Sequence, residues 1–235
     1  MKVAIISDIH ANVIALDAVY GDVQFRQADA VLVCGDLIGY YYWPDQVIEK
    51  IASDERFMCI SGNHEDILKE TLESKEASET YKVKYGSGYE FCKRLLSAEQ
   101  IEWLQGLPQE LNVEFDGVRF CCNHGIRGDV NEYLYPDAYK NKILDSYSNA
   151  QFTLLGHTHY PFIHASDNKY LLNPGSVGQP RDVGGLASYA VVNTSNLAVQ
   201  FVRVPFDVAP VIEAARLNDP DLPYLSEVMF RGRSQ

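Results

Sequence analysis

No stretch of the 235-residue sequence carries the roughly 20 consecutive apolar residues that a helix needs to cross a bilayer, so no membrane partner is expected. No secretory leader is expected either. Met1–His10 holds a single lysine, Lys2, and soon reaches acidic Asp8, the pattern of a first β-strand with a polar tip. Cytoplasmic residence in a bacterium or archaeon is the expectation. Basic residues are scarce, 20 Lys and Arg against 32 Asp and Glu for a net charge of −12. Long nucleic acids bind through neutralised phosphates, which makes them poor partners for so acidic a chain. Bound cations would add positive charge that a residue count misses. The five cysteines are odd in number and include no C-x-x-C pair, which sets aside a disulfide framework and predicts buried, reduced thiols. Adjacent Cys121 and Cys122 should point to opposite faces of a strand. Repeats and low-complexity tracts are missing too, and nothing in the sequence speaks to oligomeric state.

What is present is strand–helix alternation. Lys2–Ser7 reads as a buried strand and Asn12–Val23 as a helix. Ala30–Cys34, Pro44–Ala52 and Phe57–Ile60 follow as strand, helix and strand, the order of a parallel sheet with right-handed crossovers. The stretch from about 65 to 106 is charged and helical, a predicted insertion over one edge of the site, and Ser97–Gln100 is a capping-box pattern within it. Beyond Pro108 the pattern turns to β. Hairpins are expected around Asp116-Gly117, Asp167-Asn168 and Thr194–Asn196, and a buried strand over Phe152–Gly156. A helical tail is expected over about 207–235. These elements predict an α/β fold of two sheets packed face to face with helices outside, in one domain spanning 1–235.

Five apolar strands run into polar residues of metal-ligand type. Asp8 and His10 follow the first strand, Asp36 the second, Asn63 and His64 the third. His124 follows Val118–Asn123, and His157 and His159 follow Phe152–Gly156. In open α/β sheets ligands gather beyond the carboxyl ends of strands, so these side chains can converge. Carboxylate, imidazole and carboxamide donors suit Mn, Fe, Zn, Co or Ni, and the lack of cysteine argues against a closed structural zinc site. D-x-H and H-x-H place two ligands on one side of an extended segment. Seven candidates, with His64 left aside, are too many for one tetrahedral ion and fit two that share a carboxylate. Five of the six histidines belong to these motifs; the sixth, His164, lies inside a strand-like run and reads as structural.

The ordered series D-x-H (Asp8, His10), G-D (Gly35, Asp36), G-N-H-E (Gly62–Glu65), H-G (His124, Gly125) and G-H-T-H (Gly156–His159) resembles the calcineurin-like metallophosphoesterases. Asn173–Arg181 and Gly35–Gly39 are similar to segments of the small bacterial and archaeal phosphodiesterases of that superfamily. The resemblance implies a four-layer αββα sandwich of two mixed sheets. It also implies two divalent metal ions, manganese first among them. Asp8, His10, Asp36 and His159 would hold one ion. Asp36, Asn63, His124 and His157 would hold the other, with Asp36 bridging. A hydroxide between the ions would attack a small phosphodiester in line, and His64 would protonate the leaving oxygen. A phosphomonoesterase, a dinucleoside-polyphosphate hydrolase and a non-catalytic interaction scaffold are the alternatives. Arg181 and, more weakly, Arg127 are the expected substrate-binding residues. Ala11 stands where glycine is usual after D-x-H. The Tyr40–Trp43 cluster is read as packing of the following helix against the core, ahead of a stacking platform for substrate.

Overall fold

A computed structural model describes residues 1–25, 27–137 and 149–232. Of the expected C-terminal tail, residues 233–235 lie outside this set. Strands β1 (Lys2–Ile6), β2 (Ala30–Val33) and β3 (Phe57–Cys59) alternate with helices α1 (Val13–Phe25) and α2 (Pro44–Ala52). Four helices follow in succession: α3 (Asn63–Glu73), α4 (Lys75–Tyr85), α5 (Gly88–Leu95) and α6 (Ala98–Gln105). Then come β4 (Glu110–Phe115), β5 (Val118–Asn123), β6 (Phe152–Leu154), β7 (Phe162–Ser166), β8 (Lys169–Asn173), β9 (Leu186–Asn193) and β10 (Ala198–Pro205). The tail forms α7 (Ala209–Asn218) and α8 (Tyr224–Glu227), which runs into a 3₁₀ turn, Val228–Phe230.

The strands make two mixed five-stranded sheets, ordered β10-β9-β1-β2-β3 and β4-β5-β6-β8-β7. In the first, β1, β2 and β3 are parallel, β9 runs antiparallel to β1 and β10 antiparallel to β9; in the second, β5, β6 and β8 are parallel. This is the α/β architecture of two facing sheets expected from the sequence. Side-chain alternation along β1 explains the layering. Val3 and Ile5 face the second sheet, where they pack with Phe120, Cys122, Phe152 and Leu154. Ala4 and Ile6 face the other way, into a core shared with Leu16, Val19, Val47, Ile48 and Cys92 of the helices. Cys121 and Cys122 fall into different clusters, as their adjacency required, and all five cysteines are free and buried.

The Tyr40–Trp43 cluster packs, as expected, but chiefly against the tail. Tyr40, Tyr41 and Tyr42 are buried among Val211, Ile212, Leu225 and Met229. Tyr41 Oη donates to the Leu225 carbonyl at 3.1 Å. A buried carboxylate completes the joint. Asp219 accepts from Tyr42 Oη at 2.8 Å, Ser87 Oγ at 2.8 Å and Ser87 N–H at 2.9 Å. The segment after β2, the start of α5 and the tail thus meet on one charge, which three donors satisfy. No helix among the described residues is long and apolar enough to cross a membrane.

Candidate metal centre

The parallel strands of both sheets end at one edge, and the seven predicted ligand residues leave them there. All seven are buried; Asp8 and His10 are fully inaccessible and Asn63 is the most exposed at 6%. Backbone bonds stitch the strand ends together. Asp8 N–H donates to the Gly35 carbonyl at 3.1 Å, His10 N–H to the Asp36 carbonyl at 3.0 Å and Gly156 N–H to the His124 carbonyl at 2.8 Å. Side chains add to the stitching: Asp8 Oδ1 accepts from His157 N–H at 3.1 Å, and Asp36 Oδ1 from His64 N–H at 3.0 Å. The second bond places a carboxylate at the N-terminus of α3, where free N–H groups and the helix dipole favour it.

The D-x-H and H-x-H segments are not extended. Asp8, His10, Asp36, His157 and His159 all lie in the left-handed region, with φ between 51° and 66°. Period-two alternation therefore does not bring each pair together. Tight turns at the strand ends do, at a conformational cost for each non-glycine residue. Ala11, with φ of 53°, shows why glycine suits its position.

Three overlapping donor groups form among the described residues. Asp8, His10 and His159 present ligand atoms within 4.8 Å of one another; so do Asp36, His124 and His157, and so do His10, Asp36 and His64. His10 Nε2 and His159 Nε2 are 3.0 Å apart, and His159 Nε2 is 3.3 Å from Asp8 Oδ1. His124 Nε2 lies 3.1 Å from both Asp36 Oδ2 and Asn63 Oδ1. Asp36 Oδ2 is also 3.8 Å from His10 Nε2, so its carboxylate stands between the first two groups. His64 Nε2 reaches to 4.0 Å of the same oxygen.

Partners on the far side of each ring decide which nitrogen faces inward. The Nδ1 atoms of His10, His124 and His159 meet the carbonyls of Ile38, Cys34 and Gln179 at 3.2, 2.7 and 2.7 Å. A carbonyl only accepts, so these rings carry the proton on Nδ1 and turn the Nε2 lone pair inward. In His157 the order is reversed: Nε2 meets the Asn131 carbonyl at 3.1 Å, and Nδ1 faces in. Lone pairs and carboxylate oxygens thus converge on the same small volumes, and the buried Asp8 Oδ2 has no hydrogen-bond partner. Such a donor set fits divalent cations.

The charges respond to one another. Burial opposes ionisation of Asp8 and Asp36, yet His159 beside the first and His124 beside the second hold both carboxyls below the usual range. Burial also opposes the charge on His124, but Asp36 overrides it and, with no cation beside it, pushes the imidazole up to about 10, so a cation that takes the Nε2 lone pair must displace a proton there. Burial pushes His64 and His157 down to about 4.

Of the predicted substrate residues, Arg181 adjoins the cluster. Its Nη2 is 3.4 Å from Tyr40 Oη, whose ring is edge-on to His10, and its buried Nε has no hydrogen-bond partner. Neighbouring Asp182 pairs with Arg203 instead. Arg127 is half-exposed and held by Glu110 at 2.8 Å. His164 lies within β7. Three residues contribute that sequence reasoning did not single out. Glu65 accepts from the backbone N–H groups of Gly62, Asp36 and Leu37 at 2.6, 3.0 and 2.9 Å, bracing the turn that carries Asp36. Its signal was an acid in the first turn of a helix. Tyr85 packs on the His64 ring at 5.0 Å and Tyr89 hydrogen-bonds it. Their trace in the sequence is the four-residue spacing of Tyr81, Tyr85 and Tyr89.

Known proteins share this fold. The model of the calcineurin-like phosphoesterase superfamily domain matches residues 1–197. An uncharacterized protein of Methanocaldococcus jannaschii is 32% identical over 98% of both chains. The crystal structure of a hypothetical protein from Pyrococcus horikoshii superposes with a TM-score of 0.85 at 20% identity, covering 100% of this chain and 99% of that one. A metallophosphoesterase from Sphaerobacter thermophilus gives 0.75 at 25% identity, covering 97% and 98%. The chain belongs to the calcineurin-like phosphoesterase superfamily, a family of metal-dependent phosphoester hydrolases.

Proposed function

We propose that this protein hydrolyses a small phosphodiester with two divalent transition-metal ions, manganese foremost. Asp8, His10, Asp36 and His159 would hold one ion, and Asp36, Asn63, His124 and His157 the other. The observation that carries the proposal is the donor geometry at Asp36. Its Oδ2 and Asn63 Oδ1 both lie 3.1 Å from His124 Nε2, and Asp36 also faces His10. When bound, such ions supply positive charge that draws phosphoryl oxygens and activates water as the nucleophile.

The remaining roles fall to side chains. His64 faces the centre and donates to the leaving-group oxygen. Arg181, with no carboxylate partner among the described residues, holds a non-bridging phosphoryl oxygen through its planar fork. Arg127 is already engaged by Glu110, so Arg181 carries the larger share. The Arg181 guanidinium suits the single charge of a diester better than the two of a monoester. The net charge of −12 favours a small ester over a long nucleic acid. Five unpaired, buried thiols fit a reducing compartment such as the cytoplasm.

The test compares bis-p-nitrophenyl phosphate with p-nitrophenyl phosphate in the presence of Mn²⁺, each kcat/KM normalised to its uncatalysed rate. The diester is expected to be favoured. A monoester preference would make the protein a phosphatase. Inertness toward both, with Mn²⁺, Ni²⁺, Co²⁺ and Zn²⁺ alike, would leave a non-catalytic scaffold.

A further inference from the structure

We infer that Tyr89 fixes the tautomer of His64, so that this one histidine of the cluster turns an N–H inward while the others turn lone pairs inward. The catalytic consequence rests on the phosphoesterase proposal; the tautomer itself does not.

Four of the five clustered histidines meet backbone carbonyls on their outer side, at Ile38, Cys34, Gln179 and Asn131. Each carbonyl takes the ring proton and leaves a lone pair for the centre. His64 is the exception. Its Nδ1 lies 2.6 Å from Tyr89 Oη, and both residues are buried. A phenol can donate or accept. Were it to accept from Nδ1–H, its own O–H would need another acceptor. Tyr89 Oη has no second hydrogen-bond partner among the described residues, and a buried hydroxyl left unpaired is unfavourable. Tyr89 therefore donates, Nδ1 accepts, and the proton of the neutral ring resides on Nε2, the atom that faces Asp36.

The ring is also held in place. Tyr40, Tyr85 and Tyr89 pack on it with centroids 4.8, 5.0 and 5.8 Å away. Gly39 backs it so closely that a Cβ there would collide with Nδ1. Rotation that would exchange the ring's two edges is thus blocked. The outcome is a division of labour. Inward lone pairs suit cations, whereas an inward N–H suits an oxygen that gains negative charge as its bond to phosphorus breaks. Tyr89 belongs to α5, so the helical stretch between the two sheets acts as a positioning element for the site.

Long-range ¹H–¹⁵N spectra of zinc-loaded, ¹⁵N-histidine-labelled protein, with His64 assigned by its loss in His64→Ala, read the tautomer directly. The expected pattern for His64 is a pyridine-like Nδ1 and a pyrrole-like Nε2. The reverse pattern overturns the inference whether or not the protein is active. Kinetics give the second arm. Tyr89→Phe should lower kcat for an alkyl diester about tenfold, the lower range for an outer partner of a site histidine, with metal content retained. KM should move by less than about twofold. On a His64→Ala background Tyr89→Phe should cost nothing further, because the two residues act through one ring. An equal loss in both backgrounds would show that Tyr89 acts elsewhere and would also overturn the inference. A wild-type protein that hydrolyses no ester would defeat the functional proposal alone, leaving the spectra to decide the tautomer.

Discussion

The two halves of the histidine cluster use the same residue types but sit at different depths. Asp8, His10 and His159 are at most 1% exposed, and the carbonyls that orient the two rings belong to packed turns after β2 and β8. Asn63 and His157 are 6% and 5% exposed, and the carbonyl that orients His157 belongs to Asn131, in the irregular segment after β5. Tyr133 of that segment stacks on His157 at 3.9 Å and is itself 45% exposed. His124 of the second half is 1% exposed and oriented by the Cys34 carbonyl, so the difference teaches that one half is set wholly by the core of the fold and the other partly by a surface segment. The deep half should bind its ion first and release it last; the shallow half should exchange.

The comparison breaks most completely at Asp36, which stands between the halves. Asp36→Asn should empty both, with a loss of activity on the order of 10³-fold, checked by elemental analysis beside kinetics. Retention of the wild-type metal content would remove Asp36 as the shared ligand. Next in size is the contrast between His157→Ala and His10→Ala. The former should keep about one equivalent of metal in a calorimetric titration, since the deep donors are untouched. The latter should lose the deep ion and also melt lower. It opens a cavity beside Tyr40 and orphans the Ile38 carbonyl, a cost of about 1–3 kcal/mol for the carbonyl alone. If both variants lost metal in parallel, the halves would be one cooperative site.

A third test uses acid. In chelated protein His64 and His157 are pushed down to about 4 by burial, against 6.5 for free histidine. The unfolded chain then binds more protons at these two positions between those values, so their contribution to stability is full above about 6.5 and falls as the pH drops toward 4. Melting temperatures across this window should show that loss, and His157→Gln should flatten it. An unchanged slope in the variant would place the titrating group elsewhere. The smallest effect is expected at Ala11. Ala11→Gly relieves a left-handed alanine but gives up a buried methyl and restores chain entropy, so the net change should stay within about 1 kcal/mol of zero. A larger loss, measured by urea unfolding, would mean that the methyl packs more tightly than its burial implies.

The convergence of these polar residues was legible because polar residues at the ends of apolar strands carry a local signal. KVAIIS before Asp8 and FTLLG before His157 announce both the strand and its tip. Helix α2 and the Asp116-Gly117 hairpin were legible for the same reason, each having its own period or turn chemistry. The backbone at the tips was not. Left-handed Asp8, His10 and His159 are imposed by the cross-strand bonds that close each turn, and non-glycine residues give no warning of it. Nor was the partner of Tyr40–Trp43 legible. Tyr42 meets Asp219 across 177 positions of sequence, and Tyr41 meets Leu225 across 184. Contacts at that separation leave no periodicity to read. Tyr89 escaped for a related reason: it lies 25 residues from His64, and its spacing with Tyr81 and Tyr85 signals only a helical face.

The buried Asp219 has a consequence for recombination between relatives. From a tail that lies beyond the matched family region of residues 1–197, it draws on donors from the segment after β2 and from the start of α5. A chimera that imports the helical stretch without its own tail would leave Ser87's counterpart facing a foreign surface, or Asp219 facing none. The two segments are separated by some of the longest intervals in the chain, yet they form a single unit of inheritance. Gene shuffling with crossovers between them should yield few folded progeny unless both crossovers are taken from the same parent.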